Sequence, residues 1–310
     1  MKKTTFLVFT ITIAILTAAE TNAQSFDDIF NISHNIFSEV DNDLTNSNIK
    51  SNKMSLTKIY LAGPPIELGK FRVIYNAEYK RYQNDFESRD GQKTLFADNL
   101  NDIRLTTIFN YKLSQKWALN YVNFSTIKSD FNNFSFSNAY KGINAITAGY
   151  SPKGDDSFRY GFGITHSKEM GELSILPVAF IYYKTDKWLI DLMYPRLNVF
   201  RMLSEKLELG FMINYDIGAF DVEFDKSTIA NMEVKPEYQT TTNLTFTPQV
   251  NYYFSKNINI YARAGLNLMS EQGLMDGDFN EIKDIGYESE KMVPTFGFGL
   301  TYKIPHNSKN

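Results

Sequence analysis

The chain has 310 residues and a formal net charge of −3; 43% of it is hydrophobic and 15% aromatic, with 25 Phe and 19 Tyr. This weak acidity argues against nucleic-acid binding, which needs a clear basic bias. The absence of cysteine excludes disulfides, thiol nucleophiles and cysteine-held zinc or iron–sulfur clusters. A mean hydropathy of −0.31 reads as soluble. A transmembrane barrel gives the same average, because its outward and inward residues cancel.

In chain order the first element is a leader. Met1-Lys2-Lys3 is a short basic stretch, Phe6 to Ala19 an apolar run, and Thr21-Asn22-Ala23 a small-residue cleavage site before Gln24. Residues 1–23 therefore read as a secretory signal peptide. Their removal takes away Lys2, Lys3 and Glu20 and leaves a net charge of −4. Residues 24–53 form an N-terminal segment with a first strand near 29–40, and 54–304 the main body, followed by a polar tail, 305–310. No later run approaches the 18 or more apolar residues of a membrane helix. Alternation at period two recurs instead. In Asn257–Leu268, Ile258, Ile260, Ala262, Ala264, Leu266 and Leu268 share one face, against Asn257, Asn259, Tyr261, Arg263, Gly265 and Asn267. Pro294–Ile304 sets Phe296, Phe298, Leu300, Tyr302 and Ile304 against Thr295, Gly297, Gly299, Thr301 and Lys303.

Alternation and turn residues predict fourteen strands, near 29–40, 54–62, 70–82, 100–112, 116–127, 143–151, 157–167, 174–184, 187–193, 197–203, 207–218, 242–254, 257–268 and 293–304. Short turns such as Ser114–Gln115, Thr185–Asp186 and Ser255–Lys256 alternate with longer polar connections near 41–53, 83–99, 128–142, 219–241 and 269–292. The connections near 168–173 and 194–196 are short where long ones are expected. Alternating turn lengths and an even count, with both termini on the periplasmic side, describe an antiparallel up-and-down outer-membrane barrel of about 14 strands (12–16). A secreted β-sandwich also alternates, but at this length it splits into domains of about 100 residues, and no linker interrupts 54–304. Aromatics flank the short turns: Tyr111 and Trp117, Tyr183 and Trp188, Tyr253 and Phe254. They read as an interfacial girdle, although cross-strand aromatic pairs in a soluble sheet give the same pattern.

The last strand, "TFGFGLTY" (Thr295–Tyr302), resembles the C-terminal insertion signal that barrel-assembly machinery reads, with the usual terminal aromatic displaced by "KIPHNSKN". "GPPIELGKFRVIYNAEYKRY" (Gly63–Tyr82) and "KWLIDLMYPRLNVFRMLSEKLELG" (Lys187–Gly210) resemble structural elements of a family of porin-like outer-membrane β-barrel proteins of unassigned function from Gram-negative bacteria. That resemblance implies a fold and an outer-membrane location; it transfers no catalytic residue. The partners implied are outer-membrane lipids and, during insertion, the assembly machinery.

The strand parity places Arg72, Glu78, Lys80, Asp102, Arg104, Arg159, Asp191, Glu208, Asp216 and Arg263 on the lumen side. Such a wall either holds water and screens small polar solutes by charge or plugs the barrel with ion pairs. Asp27–Asn52 is a candidate segment to fold inside. Of three histidines, His34, His166 and His306, only His166-Ser167 with Glu169 and Glu172 invites an acyl-hydrolase reading, and adjacent strand residues point to opposite faces. Asp276, Asp278 and Glu281 lack EF-hand spacing, so Met275–Asp284 reads as a solvated loop. No metal, cofactor or catalytic site is expected. The expected function is a porin-like channel for small polar solutes; the alternatives are a sealed structural or surface-interaction barrel and, third, an outer-membrane lipid hydrolase.

Overall fold

The computed structural model describes residues 28–303 apart from 45–46, 92, 156, 168–173, 194–195, 226–228, 230–231 and 290. The leader and its cleavage site, Asp27, Glu169, Glu172, the Tyr194-Pro195 element and the tail with His306 lie outside the described residues.

Seventeen strands follow in chain order: β1 (Asp28–Phe37), β2 (Val40–Asp41), β3 (Ile49–Ala62), β4 (Ile66–Leu68), β5 (Phe71–Ser88), β6 (Asn99–Lys112), β7 (Trp117–Ser129), β8 (Tyr140–Tyr150), β9 (Phe158–Ser167), β10 (Ser174–Lys184), β11 (Trp188–Met193), β12 (Arg196–Ser204), β13 (Leu207–Asp221), β14 (Tyr238–Tyr253), β15 (Ile258–Met275), β16 (Glu281–Ser289) and β17 (Val293–Lys303). β2 and β16 belong to the longer connections. β4 continues β3 beyond Pro64-Pro65, which lack the N–H groups a ladder needs, and turns back through Gly69 at φ 63°, a conformation glycine adopts freely. The other fourteen strands form one closed antiparallel ring. The seam pairs β1 with β17, setting Asn31 opposite Thr301 and Ile36 opposite Phe296.

Closure leaves one face of each strand inside and one outside. On β17, Thr295 and Thr301 are buried while Phe296 and Phe298 stand 56% and 62% exposed. On β9, Phe162 and Ile164 project outward with buried Thr165 turned inward. The ring therefore wears an apolar belt outside and encloses polar side chains.

All fourteen predicted strands occur, but several run further than predicted. β3 starts at Ile49, β5 continues to Ser88, β14 starts at Tyr238 and β15 continues to Met275. In these extensions the outward positions become polar, as in Gln83, Asp85 and Glu87. Apolar alternation fades there while the backbone ladder persists, so a reading based on alternation stops too soon. The wall is also uneven. β11 and β12 are short, and among the described residues the β12–β13 pairing ends at Leu197 opposite Ile213. The loop end of β13 instead crosses the mouth to β7. Ser129 and Asp221 form a parallel bridge, Asp130 N–H donates to Asp221 O at 3.2 Å, and Lys128 Nζ donates to Ile217 O at 3.1 Å.

That lean explains an exception to the inside–outside rule. Tyr215 and Ile217 sit on the outward parity of β13 yet are only 3% and 4% exposed, packed against Leu244 and Met269. On the same face of the β13–β14 pair, Tyr238 lies under Lys141 of β8, Nζ 4.5 Å from its ring centre. The β13–β14 hairpin thus divides the loop end of the barrel. The described part of the candidate plug Asp27–Asn52 supplies wall through β1 and the start of β3; Asn42 anchors its connection by donating to Gly286 O of β16 at 3.0 Å.

Candidate functional site

Three layers fill the interior. At mid-height a buried charge network joins neighbouring strands and crosses the barrel. Glu78 on β5 pairs with Lys58 on β3 and lies 3.8 Å from Lys80 and 3.9 Å from Arg104. Arg104 reaches Asp102 at 3.4 Å. Lys80 then spans the interior to Asp216 of β13 at 3.3 Å, and the Tyr82 hydroxyl donates to the same carboxylate. Beside the network Ile108, Val122, Phe124 and Ile143 pack together, so the β5–β8 side of the interior is filled.

Towards the short turns the β1, β3 and β12–β17 side encloses a cavity of about 220 Å³, large enough for several waters or a small solute. Amides and hydroxyls dominate its wall, among them Asn31, Asn198, Asn243, Gln249, Asn259 and Thr301. Its charges are Lys58, Lys80, Arg196, Arg263 and Lys303 against Asp28, Glu208 and Asp216. Near the turn end, Asn251 Nδ2 and the Tyr253 hydroxyl donate to Glu208 at 2.6 and 3.0 Å, and Lys303 lies 3.7 Å from Asp28. Two glycines make room: a Cβ on Gly299 would stand 2.4 Å from the Tyr261 ring, and one on Gly297 2.9 Å from Arg263 Nε.

The third layer closes the loop end. Phe37, Met54, Tyr82, Leu100, Phe220 and Leu274 from the strands pack with Phe96, Val222 and Phe224 from the connections and with Tyr287 of β16. Phe37, Met54 and Tyr82 also line the cavity, so this apolar cap is its ceiling. A chain of amides ties the cap across the barrel: Gln239 donates to Gln272 at 3.0 Å, and Gln272 to Asn84 at 2.9 Å. The connection between β5 and β6 is held inside by Ala97 N–H, which donates to Gln239 Oε1 at 2.8 Å.

The ten charged positions named from strand parity all stand on the inner face of their strands, but they do not share one site. Glu78, Lys80, Asp102, Arg104 and Asp216 meet in the network. Arg159 covers the Tyr182 ring at 4.8 Å, near Asp191, which binds Arg196 at 3.3 Å. Arg72 holds Glu67 at 3.0 Å at the turn end. Glu208 and Arg263 line the cavity. Lys58, Arg196, Lys303 and Asp28 were missed. Lys58 alternates with Ile59 and Leu61, a legible signal; Arg196, Lys303 and Asp28 lie at strand ends, where parity is hard to assign.

In the girdle, Trp117 lies 4.8 Å from Tyr150 and Tyr111 4.6 Å from Phe71. Trp188 and Phe254 are exposed, and Tyr183 shares their outward parity. Tyr253 is corrected: its hydroxyl contacts Glu208 inside, and Tyr252 takes the outer place beside Phe254. His166 projects outward and Ser167 is buried on the opposite face, so the two do not meet. His34 bonds Thr57 Oγ1 at 2.9 Å. In the acidic loop Asp276 spends its carboxylate on its own turn, accepting from the N–H groups of Asp278 and Asn280 at 3.0 and 2.8 Å. These bonds hold Asp276 below the usual carboxylate range.

A family model, Domain of unknown function (DUF6268), matches residues 67–303. The chain belongs to the DUF6268 family. No curated protein matches it in sequence. Among solved structures, the NanC porin is 9% identical, with 89% of this chain and 100% of that chain covered and a TM-score of 0.36. An outer membrane channel from Pseudomonas putida F1 is 9% identical over 90% and 97% of the two chains, with a TM-score of 0.40. LpxR from Salmonella typhimurium is 7% identical over 88% and 100%, at 0.32.

Proposed function

We propose that this DUF6268 protein is an integral outer-membrane channel for small polar solutes, held shut in the present conformation by its apolar cap. The belt of exposed Phe, Ile, Leu and Val side chains around a closed sheet supports the membrane location, because a closed barrel satisfies every wall amide internally where no water can. The cavity carries the channel reading. Its amide and hydroxyl lining can exchange hydrogen bonds with a solute, and charges of both signs line it. Passage requires the cap to move. Its connection between β5 and β6 contributes Phe96; Arg89 and Asp98 tie its two ends to neighbouring backbone, and Ala97 N–H reaches across to Gln239, so the stretch between these anchors is the part that would have to move.

A second reading, a sealed barrel that works through its loops, is favoured by the cap itself, since twelve buried apolar side chains form a packed core. Swelling of liposomes loaded with stachyose and diluted into isotonic arabinose or glycine separates the two. A channel gives swelling that rises when Phe96→Ser loosens the cap. A sealed barrel gives none with either chain, although both are folded and inserted.

A further inference from the structure

We propose that Arg263 is the centre of a binding site for a small oxyanion, a carboxylate or phosphate group, within the polar cavity. This deepens the channel reading, and rests on it, by naming the class of solute. The other cations of the cavity wall each have a carboxylate: Lys58 has Glu78, Lys80 has Asp216 at 3.3 Å, Arg196 has Asp191 at 3.3 Å and Lys303 has Asp28 at 3.7 Å. Arg263 has none among the described residues. Its Nε is shut off from solvent and makes no hydrogen bond, although the side chain lines the cavity.

The positions around it are neutral by construction. Gln249 stands directly opposite on β14 and Gly297 on β17, with Tyr261 and Gly265 next along its own inner face. The guanidinium lies 5.3 Å from the Tyr261 ring centre, a cation–π contact that orients it without neutralising it. Gly297 carries no side chain there, and the neutral amide of Asn35 and Arg263 Nε take the space a Cβ would fill. A guanidinium presents a fork of donors that matches the two oxygens of a carboxylate or phosphate. Arg263 is half-buried with its Nε shut off from solvent, and a charge held so without a partner is costly. A visiting oxyanion is the partner that the wall withholds.

The test is isothermal titration of the refolded full chain in detergent with sodium phosphate and, separately, sodium acetate, in buffer low in chloride. Saturable binding is expected, roughly tenfold or more weaker in Arg263→Gln, partly retained in Arg263→Lys and unchanged in the exposed-site control Arg201→Gln. The stronger arm identifies the oxyanion. Failure of the folded chain to take up either anion, or equal binding by Arg263→Gln, overturns the site. If Arg263→Gln does not fold, the wild-type urea midpoint replaces it: added anion must raise it, and an unmoved midpoint refutes the proposal. Binding is read without conduction. A chain that binds anions but passes no solute keeps the site and loses the channel; one that passes solute without binding loses the site alone.

Discussion

Gly299 carries no side chain on the inner face of β17 because Tyr261 of the neighbouring strand lies across it, and a Cβ there would also stand 2.6 Å from Ile32 O. The Tyr261 ring borders the cavity and has room to shift, but the Ile32 carbonyl oxygen is part of the closed wall and cannot retreat. Gly299→Ala is therefore expected to destabilise the barrel by about 1–3 kcal/mol, read as a lower urea midpoint for loss of the folded, heat-modifiable band. An unchanged midpoint would show that both the ring and the Ile32 oxygen give way. Arg104 and Arg263 both face inward, yet charge reversal should affect them differently. Arg104 is matched by Glu78 and Asp102, so Arg104→Glu should fail to fold or fold poorly. Arg263→Glu should fold, and ion selectivity from reversal potentials should then shift towards cations. Parity showed both arginines in the sequence. Their pairing was not legible, because it depends on which strand lies across the barrel. The same limit applies to Tyr253, where a one-residue choice between neighbouring tyrosines exchanges the outer face of the barrel for the inner one.

At the scale of elements, the loop end of the β13–β14 hairpin leans across the mouth to β7 while both strands stay in the ring. Asp216 fastens it to β5 through Lys80 and Tyr82. Removing one partner of a buried ion pair costs about 3–5 kcal/mol, and Lys80 retains Glu78 at 3.8 Å. Asp216→Asn should lie near the lower end, about 3 kcal/mol by urea titration; an effect under about 0.5 kcal/mol would mean that the contact adds nothing. Phe220, packed edge-on against Tyr82 with ring centres 5.7 Å apart, carries the apolar half of the same contact. Phe220→Ala should cost about 3–5 kcal/mol and loosen the cap, and protease cleavage in the connection between β5 and β6 should quicken with it. The strands of this region were legible from alternation. The lean was not, because Tyr215 and Ile217 read as ordinary outward residues; it goes with the short β11–β12 hairpin, whose pairing with β13 ends, among the described residues, at Ile213.

For the whole molecule, ring closure, the strand count and the alternation of short turns with long connections followed from the sequence, since each reflects a backbone demand that repeats along the chain. The cap did not. Its side chains come from Phe37, Phe96, Phe220, Phe224, Leu274 and Tyr287, scattered over most of the chain, and all but Phe37 lie in stretches that read from the sequence as polar connections. A lumen wide enough for fourteen strands is thus reduced to a polar cavity beneath a closed lid. Single-channel recording of the refolded chain in a planar bilayer, beside Phe96→Ser, tests this most directly. The account predicts long closures with brief ohmic openings for the wild type, and a clearly higher open fraction for Phe96→Ser at similar unit conductance. Silence from both chains, each shown to be folded and inserted, would contradict it and leave a sealed barrel that works through its loops.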